Sequence, residues 1–260
     1  IDQEKLIQNQ HDGWLTDRQL LKDSQWKDGS YKMDSFYRKV RKEYDVLMDD
    51  DDFEGGKVSF DGDNRKPWKK GKDPEPPEWP EFKPDKVDKE VEKMIHDGYG
   101  DHPGELDMAS YPTKKKDVQK FWNFFLNKMF DQFGPYEDAM TQHSSTLFHS
   151  RMSPLINIHR IMPQQIIRDV EKKDVPINSK EGFIRQVIGW REFMYHLHYL
   201  TDAFRDLPDH AHVTYKRKPG DGGFEKWSGG KWEDSEKVKG LDGGSKPSYF
   251  ESDDPVPPVY

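Results

Sequence analysis

Val118-Gln119-Lys120-Phe121-Trp122-Asn123-Phe124-Phe125-Leu126-Asn127-Lys128-Met129-Phe130-Asp131-Gln132-Phe133 is the most strongly patterned stretch of the chain. Val118, Phe121, Trp122, Phe125, Leu126, Met129, Phe130 and Phe133 recur at the i, i+3, i+4, i+7 spacing of one helical face. Thr113 is the expected N-cap, and Gly134-Pro135 the expected stop. Further helices follow on either side of it. Lys32 to Tyr44 carries Met33, Phe36, Tyr37 and Val40 at helical spacing, with Asp34 or Ser35 as cap. Pro84 to about Asp97 places Val87, Val91, Met94 and Ile95 on one face. Pro163 opens a helix running to about Lys173. Asn178 or Ser179 caps another from Glu181 to about Phe204, with Phe183, Ile184, Val187, Ile188, Phe193, Met194, Leu197 and Leu200 inward.

Composition limits how large the core can be. The chain has 260 residues, a net charge of -8 and no Cys. Charged residues reach 35% against 32% hydrophobic, yet 8 Trp, 11 Tyr and 15 Phe are too many for a disordered tail. The reading is a modest aromatic core with long solvated or partner-bound extensions. Residues 1–30 form an N-terminal extension, and 31–83 a helix followed by an extended Pro-rich linker. Residues 84–207 form the helical domain, and 208–260 an irregular Gly/Pro-rich tail held by a partner. The fold class is mainly α, with little or no β. No apolar run reaches the length of a membrane span. Without Cys this chain can ligate no iron–sulfur cluster and no thiolate zinc. The acidic balance gives no global attraction to nucleic acid.

Few motifs carry chemistry. Asp49–Asp52 reads as a solvated loop. Ser150, Arg151 and Ser153 stand beside a helix start, where hydroxyls, a basic side chain and free N–H groups would suit an anion. Gly182 and Gly189 share a helix face, so either a neighbouring helix or a flat ligand comes close there. His196/His198 and His210/His212 have poor geometry for a metal, because i and i+2 point apart on a helix. Dinucleotide, P-loop, serine-hydrolase and zincin signatures are absent.

Several stretches, in order, resemble one family. Met33-Asp34-Ser35-Phe36-Tyr37-Arg38-Lys39-Val40-Arg41-Lys42 and Gly55-Gly56-Lys57-Val58-Ser59-Phe60-Asp61-Gly62-Asp63-Asn64-Arg65-Lys66 are two of them. Phe133 to Asn157 and Glu181-Gly182-Phe183-Ile184-Arg185-Gln186-Val187-Ile188-Gly189-Trp190-Arg191-Glu192-Phe193 complete the set. They resemble the photolyase/cryptochrome superfamily, in its iron–sulfur bacterial branch, over roughly residues 20–200. The resemblance implies a partial photolyase-like helical bundle of the FAD-domain type. It also implies that His149, Ser150, Met152, Ser153 and Asn157 fall on the flavin loop and helix, with Gln186, Trp190 and Arg191 on the helix closing the pocket. His159 stands where the family has Gly, and an imidazole is expected to crowd the ring there.

The chain starts at Ile1, so an upstream segment is expected to have been removed or left out. The α/β antenna domain, the cluster cysteines and the second half of the flavin site are not among its residues. The expected function is therefore that of a shortened member which has lost photorepair and serves as a structural subunit of a larger assembly. On that reading no cofactor is bound, the partners are other protein subunits, and the compartment is intracellular, with chloroplast and mitochondrion as candidates. The alternative is an FAD-binding photolyase or cryptochrome completed by another chain, with DNA as partner only in that case.

Overall fold

Phe183 packs against four aromatic rings, those of Trp122, Phe125, Phe130 and Phe133, at centroid distances of 5.7, 5.2, 5.8 and 5.3 Å. Around this cluster the chain is mainly α. The computed structural model describes residues 13–203, apart from 28 and 103. Helices α1 (Arg18–Asp23) and α2 (Met33–Glu43) come first. A two-residue antiparallel hairpin follows, β1 (Met48–Asp49) with β2 (Asp52–Phe53), in the register Met48 to Phe53. Next are two 3-10 turns, Glu54–Gly56 and Asp61–Asp63, then α3 (Lys86–Tyr99), α4 (Lys115–Lys128) and α5 (Phe130–Phe133). The chain continues through α6 (Ser153–Asn157), α7 (Pro163–Glu171), α8 (Ile177–Ile184), a π-helical segment (Arg185–Trp190) and α9 (Arg191–Leu200). The expectation for residues 208–260 lies outside the described residues.

The expected Val118–Phe133 helix is two helices. Met129 leaves helical geometry at φ −130, so α5 restarts after it while Phe130 and Phe133 still reach the core. Lys114, not Thr113, is the N-cap of α4, and it makes no side-chain cap bond. Asn178 and Ser179 lie inside α8 rather than at its cap. Ser179 Oγ instead accepts from Gly134 N and donates to the carbonyl of Asp131, tying α8 to the end of α5. A Cβ on Gly134 would lie 2.7 Å from the Ser179 backbone nitrogen, which is why glycine stands at this crossing.

The segment between β2 and α3 is extended, but its aromatics are inward. Phe60, Trp68 and Phe82 are buried, and Trp79 lies 4.2 Å from Phe121 of α4. Arg41 of α2 is fully buried and donates to the carbonyls of Val46, Leu47 and Val58. Asp45, Leu47 and Asp50 nearby take φ values of 53, 51 and 51°. Such left-handed residues cost about 1–2 kcal/mol each. The charge-assisted bonds of Arg41 hold the strained hairpin in place.

Two expected faces turn out differently. α3 does carry Val87, Val91, Met94 and Ile95 on one face, but Val87 is 64% and Met94 71% exposed, and only Asp88 of this helix is buried. A capping box at Asp85 and Asp88 holds its N-terminus. On α9, Met194 and Leu200 are exposed rather than inward. Gly189 is packed by a neighbouring helix: a Cβ there would lie 3.2 Å from Met33 Sδ and 3.3 Å from Tyr37, both on α2.

Phe125→Ala is expected to lower stability by about 3–5 kcal/mol, the range for emptying a buried aromatic site. Met94→Ala should stay within about 0.5 kcal/mol, because this residue is 71% exposed. Urea denaturation of the two variants checks the ordering.

Candidate functional site

Two segments of the chain build a cavity. The first is the turn into α6. Ser144 Oγ accepts from Leu147 N, and the His149 ring nitrogen lies 3.3 and 3.1 Å from the carbonyls of Tyr136 and Glu137. Arg151, expected to face an anion, turns the other way. Its guanidinium sits 5.4, 5.6 and 5.6 Å from the rings of Trp79, Tyr111 and Phe121, and Tyr111 Oη donates to its carbonyl. Cation–π contact in an aromatic box accounts for that choice. Ser150, Ser153, Ile156 and Asn157 are left facing the second segment.

That second segment is the helical run from α8 to α9. Phe183, Gln186 and Val187 follow ordinary helical spacing on the cavity side. The π-helical turn Arg185–Trp190 then widens the helix and delays the face by one residue. Arg191 therefore reaches the cavity, followed by Met194, Tyr195 and His198. Trp190 is carried outward, 43% exposed and edge-on to Phe193.

The cavity measures about 780 Å³. It brings together Ser150, Ser153, Asn157, Gln186 and Arg191 of the residues singled out in the sequence. His149, Met152 and Trp190 lie off its wall: His149 braces the turn, Met152 is buried in the core, and Trp190 faces solvent. His159 takes the left-handed conformation, φ 56, but is not on the wall, so its ring does not crowd the cavity.

Trp14 was missed, because an isolated aromatic in a polar stretch reads as part of an extension. It stacks on Tyr195 at 3.9 Å and 13°, and the Arg191 guanidinium lies 3.7 Å over its ring. Arg191 also donates to the carbonyl of Gly13 at 3.0 Å and pairs with Glu192 at 3.4 Å. Burial holds its pKa below the usual value, and Glu192 partly restores it. Glu192 is fully buried and accepts from Leu15 N, Thr16 N and Thr16 Oγ1. Burial raises its pKa against those bonds. His196 contacts Thr16 Oγ1 at 2.7 Å, and burial pushes its pKa down to about 4.

Beneath the cavity lies a charged node. Arg185, 4% exposed, meets Asp61, Glu137 and Glu181 at 3.0, 3.2 and 3.3 Å. Asn64 and Gln186 both donate to Glu137, and Phe60 N donates to Glu181. A Cβ on Gly182 would lie 2.5 Å from Asn64 Nδ2 and 2.6 Å from Glu137 Oε2, so this node occupies the close approach at that glycine. Burial raises the pKa of Glu181, opposed by the Phe60 N–H and Arg185. Among the described residues, no group of three or more His, Asp or Glu is placed to hold a metal ion. His196 and His198 point apart, one to Thr16 and one to the cavity. His210 and His212 lie outside the described residues. No described helix is long and apolar enough to cross a membrane.

The family model described as deoxyribodipyrimidine photo-lyase-related protein matches residues 3–111. A (6-4) photolyase of Agrobacterium fabrum is 33% identical over 176 residues. The chain is photolyase-related. The matched region covers 66% of this chain and 34% of that relative, so the chain spans about a third of its length. The match at 3–111 includes Trp14, and with it the part of this photolyase-related chain that lies against Arg191.

A pH effect follows from His196. Its depressed pKa means that the unfolded chain binds the proton first, so the stability it contributes is complete above about pH 6.5 and is lost as pH falls toward about 4. Glu181 and Glu192, with raised pKa values, act in the opposite sense. The difference in denaturation midpoint between wild type and His196→Gln isolates the histidine. It should shrink steadily from pH 6.5 to 4.

Proposed function

We propose that the cavity is a flavin site and that the protein acts through a flavin held there. The supporting observation is convergence. Five residues assigned to a flavin pocket, on segments roughly thirty residues apart, line the same cavity. Its volume falls in the range of small-molecule sites, roughly 300–1,000 Å³. Ile156, Phe183, Val187 and Met194 offer apolar walls for a flat ring system. The hydroxyls of Ser150 and Ser153 and the amides of Asn157 and Gln186 suit a hydrogen-bonding ring edge and a polyol chain. A bound flavin would supply light absorption and electron transfer. Repair of DNA photoproducts or light sensing is the activity such a site would serve.

One observation favours a second reading. Arg191, the one Lys or Arg on the cavity wall among the described residues, is already engaged by Trp14, Gly13 and Glu192, so a diphosphate finds no uncommitted cation among them. A photolyase-related fold kept as a scaffold, its photochemistry lost, in an assembly of protein subunits would leave that arrangement undisturbed.

Incubating the 260-residue protein with FAD, removing free flavin and recording the visible spectrum separates the two. The flavin reading expects retained flavin bands. It also expects affinity about tenfold weaker in Ser153→Ala or Asn157→Ala, the effect of losing one buried hydrogen bond, and unchanged in Trp190→Ala. A colourless wild-type protein overturns the flavin reading and favours the scaffold.

A further inference from the structure

Glu192 sits on α9 with both carboxylate oxygens engaged away from the cavity. Oε1 accepts from Leu15 N at 3.0 Å and faces Arg191 at 3.4 Å. Oε2 accepts from Thr16 N at 3.1 Å and Thr16 Oγ1 at 2.8 Å. Two successive backbone N–H groups and a hydroxyl from far along the chain thus end on one carboxylate. The short segment they belong to carries Trp14, whose ring stacks on Tyr195 and lies against the Arg191 guanidinium. Tyr195, Arg191 and Trp14 all line the cavity.

We propose that Glu192 is the positioning residue of the cavity. It clamps residues 13–16 across α9 as a strap, and the strap fixes Trp14 and Arg191 as one rigid wall. This rests on the reading of the cavity as a flavin site. The order of dependence runs outward from the carboxylate. Without it, the buried Thr16 N–H and the half-buried Leu15 N–H lose their acceptor, an expensive state for backbone donors. The Gly13 carbonyl then leaves Arg191, Trp14 leaves the stack, and the cavity opens on that side. An amide cannot replace the carboxylate, because it has one accepting oxygen and turns an NH2 group toward donors.

The test uses the full chain as wild type, Glu192→Gln and Trp14→Ala, with two readouts. Amide hydrogen exchange at Leu15 and Thr16 reads the strap directly, without ligand. FAD affinity reads the wall. The proposal expects at least tenfold faster exchange at Leu15 and Thr16 in Glu192→Gln, with protection of α4 retained. It expects FAD affinity about tenfold weaker in both variants. Unchanged exchange in Glu192→Gln overturns the clamp, whatever the flavin does. Faster exchange with undiminished FAD affinity overturns the positioning role while the flavin site stands. If Glu192→Gln does not fold, Trp14→Ala decides, since undiminished affinity there removes the wall. A wild type that binds no FAD defeats the flavin reading and the wall together, while exchange still decides the clamp.

Discussion

Three carboxylates from three separate stretches of chain meet one buried guanidinium. Asp61 comes from a 3-10 turn, Glu137 from the loop after α5, and Glu181 from α8, and all three lie against Arg185. Burying charges is costly, and such a cluster persists only when each group is paired and hydrogen-bonded. Here Asn64 and Gln186 donate to Glu137 and the Phe60 N–H to Glu181, while Glu181 Oε1 and Arg185 Nε meet as an ion pair at 3.3 Å without a hydrogen bond. Arg41 adds a second buried cation nearby, and the Tyr37 ring fills the space beside Glu181. The node fixes how the loop leading to α6 sits against the α8 to α9 run, and those two segments are the walls of the cavity.

The cavity then depends on two local departures from regular structure. One is the π-helical turn, which replaces Trp190 with Arg191 on the wall. The other is the aromatic box of Trp79, Tyr111 and Phe121, which draws Arg151 out of the anion position and leaves the serine hydroxyls in a mostly apolar setting. The extended segment before α3 has a role here, since Trp79 on that segment forms part of the box.

Much of this was legible in the sequence because it is periodic. The helical faces of α2, α4 and α8 follow from spacing alone, Pro163 marks the start of α7, and the family resemblance assigned Ser150, Ser153, Asn157, Gln186 and Arg191 to one pocket. What was not legible is non-periodic or non-local. The break at Met129 and the π turn insert or drop a residue without a marker such as Pro. The exposure of α3 reflects what it packs against, which spacing does not encode. The pairing of Leu15 and Thr16 with Glu192 joins positions 177 and 176 residues apart, and nothing local announces it. Trp190 and Arg191 were both assigned from the resemblance, and only the helix period sets Arg191 on the cavity wall and leaves Trp190 43% exposed.

The most direct measurement of this account is a double-mutant cycle between Arg185 and Glu137. Stability is measured by denaturation for wild type, Arg185→Met, Glu137→Gln and the double variant. If the node registers the two walls, the coupling energy should exceed about 1 kcal/mol, since Arg185→Met leaves the buried Glu137 carboxylate without its cation and the double change removes that charge, while Asp61 and Glu181 contribute alike to both arms of the cycle. Effects that add to within about 0.5 kcal/mol would show that the two groups act independently, and would contradict the claim that their contact holds the cavity together.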